Sequence, residues 1–177
     1  MNRPILDSYW VSPGFLLAGA YPCSFRESEA LAKVDALLDA GIRSFVDLTE
    51  TEDGLVPYEA LAKTLAAARD VEITYRRMAI RDRGIPSLEH MRSVLEQIDS
   101  EIAAGRPVYV HCWGGIGRTG TVVGCWMRTH DGCSSEEAIE KIAELRRGTP
   151  DGRSASPETS EQREFIDAWP AGRADPI

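Results

Sequence analysis

Cys112 and Arg118 stand with five residues between them, three of which are glycines (Gly114, Gly115 and Gly117). The apolar run Pro107-Val108-Tyr109-Val110-His111 precedes them, and a second apolar stretch opens at Thr121. A glycine-rich junction between a buried strand and a helix can turn its backbone N–H groups inward around an oxyanion. Glycine relieves the steric limit on φ, and the helix adds its positive N-terminal end. A cysteine at the base of such a cradle sits among N–H dipoles and a guanidinium, surroundings that favour thiolate over thiol. Arg118 can grip two phosphoryl oxygens at once with its planar fork. The chemistry on offer is capture of a phosphate beside an activated nucleophile.

The run His111-Cys112-x5-Arg118-Thr119-Gly120 resembles the signature of cysteine-dependent protein tyrosine and dual-specificity phosphatases. Such families place a general-acid aspartate some tens of residues upstream. Asp82 stands 30 residues before Cys112, on the Gly/Pro-punctuated loop Arg81-Asp82-Arg83-Gly84-Ile85-Pro86. Ser156-Pro157-Glu158-Thr159 followed by Gln162 is similar to a distal glutamine-bearing segment of some members. The resemblance covers about residues 9–168, the first fifty or so in pattern only.

It implies that Cys112 attacks phosphorus in line and forms a phosphocysteine, while Arg118 and the loop of Trp113, Gly114, Gly115, Ile116 and Gly117 hold the charge. Asp82 would protonate the leaving oxygen and then serve as base for the hydrolytic water. Thr119 would stabilise the departing thiolate, His111 would brace the loop, and Gln162 would position water. No metal or cofactor is implied. The implied substrate is a phosphorylated protein or a small phosphate monoester, and the compact chain resembles the shallow-pocket, dual-specificity kind. The loop carries no lysine, which disfavours polyphosphorylated inositides.

Each residue also has a plainer reading. Thr159-x-x-Gln162 is a well-formed capping box that would hold Gln162 on its own helix start. Trp113 fits a pocket rim or inward packing equally. Arg81 and Arg83 are either solvated or steer an anionic substrate, and Asp53, on another glycine-containing loop, is a reserve acid. Cys23, Cys125 and Cys133 read as packing residues, with a disulfide to Cys112 left open. A phosphate-recognising binding module would need the cradle but not Cys112 and Asp82 together. Sulfur transfer or arsenate reduction would use the cysteine and arginine but gives Asp82 no task.

The elements that must position these residues follow from periodicity and punctuation. Tyr9 to Val11 and Phe15 to Ala18 flank Ser12-Pro13-Gly14 as a small hairpin or sheet edge. Apolar positions at three- and four-residue spacing predict a helix from Glu27 to Ala40 closed by Gly41, a second from Tyr58 to Ala68, and a long one from Leu88 to near Gly105. Strands are expected over 42–48, 72–80 and 107–111, and a helix over Thr121 to about Thr129. A capping box at Ser134-Ser135-Glu136-Glu137 opens a further helix through Arg147, and a last short helix ends near Trp169. Alternating strands and helices predict an α/β layered fold, a mostly parallel sheet of four to five strands flanked by helices on both faces.

The chain of 177 residues reads as one domain with a core of about 9–168 and a loose tail over 170–177. The net charge of −8 argues against nucleic-acid or anionic-lipid partners, and no apolar run suggests membrane insertion. Four unevenly spaced cysteines fit a reducing cytoplasm better than a disulfide framework, and a monomer is expected. Of the 20 basic residues 17 are arginine. Arg76, Arg77, Arg81 and Arg83 surround Asp82, which predicts a positive mouth in an acidic protein.

Overall fold

The computed structural model describes residues 2–172. Five strands, β1 (Ser8–Ser12), β2 (Leu16–Gly19), β3 (Ser44–Asp47), β4 (Thr74–Arg77) and β5 (Val108–His111), form one sheet in the order β1-β2-β5-β3-β4. β1 and β2 are the expected edge hairpin, antiparallel, while every other pairing is parallel. Six helices cover it: α1 (Glu27–Asp39), α2 (Glu59–Ala67), α3 (Leu88–Ala103), α4 (Gly117–Asp131), α5 (Ser135–Leu145) and α6 (Ser160–Ala168). The layered α/β fold with helices on both faces is the one the sequence predicts.

Both faces of the sheet are buried, so β5 reads as an unbroken apolar run although its side chains alternate. Val108 and Val110 enter the core shared with α3, α4, α5 and α6, whereas Tyr109 enters the core formed with α1 and α2. Met91, Val94, Leu95 and Ile98 mark the buried face of α3, and each fully buried side chain of this size contributes about 1.5–3 kcal/mol.

Register decides where the site lies. Gly19, His111, Asp47 and Arg77 pair across the sheet in one row, and each is the last residue of its strand. The loops after β2, β5, β3 and β4 therefore leave the sheet at one level, along the carboxyl edge where open α/β sheets hold ligands.

Of the boundaries that differ from expectation, two bear on the site. β4 ends at Arg77 rather than Ile80, although the chain beyond it stays tied to β3 through Met78 N–H to Asp47 O (2.8 Å) and Ile80 N–H to Leu48 O (3.0 Å). Helix α4 starts at Gly117 instead of Thr121, so Arg118 and Thr119 belong to its first turn. The glycines of α4 are packing glycines: a Cβ on Gly117, Gly120 or Gly124 would press on Gln162 and Glu158, on Ser156, or on Ile166 respectively. Of the tail, 170–172 is held by Gly172 N–H to Arg128 O at 2.9 Å, and 173–177 lies outside the described residues.

Candidate active site

The chain leaves the centre of the sheet at His111 and turns through Cys112 to Gly117 before entering α4. Gly115 makes this turn feasible: its φ is +67°, and a Cβ there would collide with the backbone of Gly19 and Ala20. The loop carbonyls face outward. Trp113 O accepts from Tyr21 N–H at 2.8 Å, and Ile116 O accepts from Ser156 Oγ at 2.7 Å and from Gly120 N–H at 3.1 Å. Among the described residues no N–H from Trp113 to Thr119 has a protein acceptor. Those donors and the α4 N-terminus make an anion cradle.

Cys112, 3% exposed, lies in the wall of a pocket of about 280 Å³ with Trp113, Gly114, Ile116, Gly117 and Arg118. Asp82, Arg83 and Glu158 complete the wall. Arg118 Nη2 is 3.0 Å from Asp82 Oδ1, and Nη1 donates to Asp53 Oδ2 at 2.7 Å and to Ile80 O at 3.2 Å. Three sequence-distant loops thus meet on one guanidinium. The loop after β3 holds two of them together, because Glu50 Oε2 also accepts from Asp82 N–H at 3.2 Å.

Asp53, read from sequence as a reserve acid, is not in the pocket wall; its side chain is 8% exposed behind Arg118. Its carboxylate is fixed by the single 3₁₀ turn Thr51–Asp53, where Asp53 Oδ2 also accepts from Glu50 N–H at 3.1 Å. The reciprocal Glu50/Asp53 box, spaced by three, was the one sequence signal for this brace. We expect Asp53→Ala to lower kcat/KM on an aryl phosphate about tenfold to a hundredfold, the worth of one charge-assisted hydrogen bond. Asp53→Asn, which keeps an acceptor, should recover part of that loss; equal rates in all three proteins would remove Asp53 from the positioning of Arg118.

His111 is fully buried and is not among the residues lining the pocket. Burial pushes its pKa below the ordinary value, and the same burial holds the Tyr58 hydroxyl protonated. Tyr58 O–H then donates to Nε2 at 2.6 Å, leaving Nδ1–H to face Cys112 O at 3.3 Å. The contact braces the backbone at the nucleophile.

Two residues make contacts other than those their expected roles name. Thr119 is buried with its hydroxyl 3.5 Å from Gly19 O, and no hydrogen bond joins it to Cys112. Placed in the first turn of α4 rather than in a free loop, its side chain turns toward the β2 end. Gln162, fully buried, does cap α6: Oε1 accepts from Glu158 and Thr159 N–H at 3.0 and 3.1 Å. Nε2 donates to Gly84 O at 3.1 Å, so the amide fastens the Asp82 loop to α6, and its second N–H has no protein acceptor among the described residues.

The positive mouth does not form. Arg77 folds back on Asp47 at 3.4 Å, Arg76 and Arg81 are exposed away from the pocket, and Arg83 lies 3.8 Å from Glu158. Two arginines and two carboxylates share the wall. Trp113, left undecided by sequence, stands at the rim with 57% exposure. All four cysteines are free, and no described helix is long and apolar enough to cross a membrane.

Several known proteins are similar to this chain. An uncharacterized protein of Methanocaldococcus jannaschii is 37% identical over 87 residues, 49% of this chain and 53% of that protein. Phosphatidylglycerophosphate phosphatase PTPMT1 of Arabidopsis thaliana is 29% identical over 133 residues, 75% of this chain and 35% of that one. The chain thus spans between a third and just over half of these relatives. The crystal structure of Tk-PTP in the active form superposes with a TM-score of 0.65 at 26% identity, covering 90% of this chain and 93% of the other. Residues 23–131 match the family described as polymorphic toxin system, DSP-PTPase phosphatase, and the chain belongs to that family.

Proposed function

We propose that the protein is a phosphatase of the tyrosine/dual-specificity type that hydrolyses phosphate monoesters through a phosphocysteine. The observation that carries this reading is the shared wall: Cys112, Arg118 and Asp82 line one pocket, with Asp82 and Arg118 already 3.0 Å apart. Cys112 Sγ forms a bond to phosphorus while the ester P–O bond breaks, and the proton on Asp82 passes to the leaving oxygen. Water then attacks phosphorus, giving a proton to Asp82 as the S–P bond breaks and inorganic phosphate leaves. Arg118 and the unpaired loop N–H groups meet the equatorial oxygens throughout.

Free cysteines fit action in a reducing compartment such as the cytoplasm, and the net charge of −8 fits a protein without nucleic-acid partners. A lipid-phosphate substrate is the second reading, favoured by the Arabidopsis relative, which is named for phosphatidylglycerophosphate. The test is hydrolysis of a small aryl phosphate without added metal, with orthovanadate as a competing oxyanion. Turnover that vanadate suppresses is expected; absence of turnover at any pH between about 5 and 8, where phosphate esters of this kind are dianions or nearly so, would overturn the proposal.

A further inference from the structure

A second recess of about 270 Å³ adjoins the phosphate pocket, sharing Trp113 and Gly114 with it. Its floor is Tyr21 and Leu55, and its charged groups are Asp7, Lys33 and Asp151. Lys33 Nζ is 3.3 Å from Asp7 Oδ2, so those two charges offset each other. Asp151 is exposed and binds Arg146 only through its backbone carbonyl, at 2.8 Å, which leaves its carboxylate unpartnered among the described residues. The recess is therefore walled in part by Trp113, and among its lining side chains one negative charge, that of Asp151, is not offset. On the other side of Trp113 the arginines are also offset, Arg83 by Glu158 and Arg118 by Asp53 and Asp82.

We propose that the recess beyond Trp113 is a specificity subsite for a lysine or arginine side chain close to the phosphorylated residue of a peptide substrate. This rests on the phosphatase reading and narrows it. A phosphoryl group seated over Cys112 fixes the rest of the substrate at the rim, where the exposed ring of Trp113 divides the two depressions. A cationic side chain crossing that ring gains the indole face and the Asp151 carboxylate together. A polyanionic headgroup would meet the carboxylates of Asp151, Glu158 and Asp82, while the cations lining the two recesses, Lys33, Arg83 and Arg118, are each already paired, so like-charge contacts select against it.

The test compares kcat/KM for matched phosphotyrosyl peptides carrying lysine or glutamate beside the phosphoresidue, with an aryl phosphate as reference. Wild type should favour the basic peptide about twofold to fivefold, the range of one exposed ion pair. Asp151→Lys should bring that ratio to one or below, while Lys33→Gln, which frees Asp7, should raise it. Aryl phosphate turnover should stay within about twofold in both variants, and thermal melting reports that they fold. An unchanged peptide ratio in Asp151→Lys overturns the subsite. Faster wild-type turnover of the acidic peptide, or of a phosphatidylinositol monophosphate in phosphatidylcholine vesicles, also overturns it. A wild type that is inactive on the aryl phosphate itself would instead remove the phosphatase reading.

Discussion

Cys112→Ser is expected to abolish turnover, with kcat falling by a factor on the order of 10⁴ to 10⁶, while the protein still binds a phosphotyrosyl peptide. A serine hydroxyl is almost wholly protonated at neutral pH, and among the described residues no hydrogen bond joins the side chain at position 112 to a base. His111 has Nδ1 turned to Cys112 O and Nε2 taken by Tyr58, and Arg118 carries no acceptor. The cradle itself survives the substitution, because its donors are main-chain N–H groups and Arg118. Burial at 3% exposure and the similar size of serine leave the fold in place, so the melting temperature should move by little. The decisive measurement is single-turnover kinetics beside peptide affinity for the same protein. Loss of catalysis with retained binding is the pattern of a missing nucleophile. Turnover close to wild type would sink the mechanism, and an active site that only recognises phosphate would show no turnover in either protein.

The parts of this site that a reader of the sequence can find are those fixed by local chemistry. Cys112, the glycines and Arg118 lie within seven consecutive residues, and the burial of β5 is visible in its unbroken apolar run. Asp82 is legible because Gly84 and Pro86 mark its loop as irregular. What escapes is whatever depends on which loops the sheet brings together. Asp53 sits 65 residues before Arg118; its spacing from Glu50 marks a local cap but not the distant partner, and only the β5-β3-β4 order delivers it to the guanidinium. The same limit misled the charge argument. A run of arginines around Asp82 counts as +3 in sequence, yet strand alternation and Asp47 send Arg76 and Arg77 elsewhere. Gly117 and Gly120 read as loop because glycine's usual cost in a helix is visible in one dimension, whereas the Gln162, Glu158 and Ser156 side chains that a Cβ there would crowd are not.

Asp82→Ala should lower kcat and strengthen oxyanion binding at the same time, an unusual pair of effects that the ion pair with Arg118 predicts. In the ligand-free site Asp82 Oδ1 lies 3.0 Å from Arg118 Nη2, where a phosphoryl oxygen must go. A carboxylate held there competes with the substrate dianion. Arrival of the dianion displaces it from Nη2, which frees the side chain to turn toward the leaving oxygen. Substrate binding and arming of the acid are thus one event. Removing the side chain deletes the proton donor, so kcat for a poor leaving group should fall about 10²- to 10⁴-fold and the alkaline limb of its pH profile should flatten. An activated aryl leaving group departs without help and should lose much less. Removal also clears Nη2, and because the Asp82 side chain is 52% exposed the pair is worth no more than about 1 kcal/mol, so vanadate should bind up to about fivefold more tightly. A merely structural aspartate would weaken both quantities together. Vanadate inhibition constants measured beside leaving-group series in the two proteins separate these cases, and weaker vanadate binding in Asp82→Ala would show that Asp82 supports the anion site instead of competing for it.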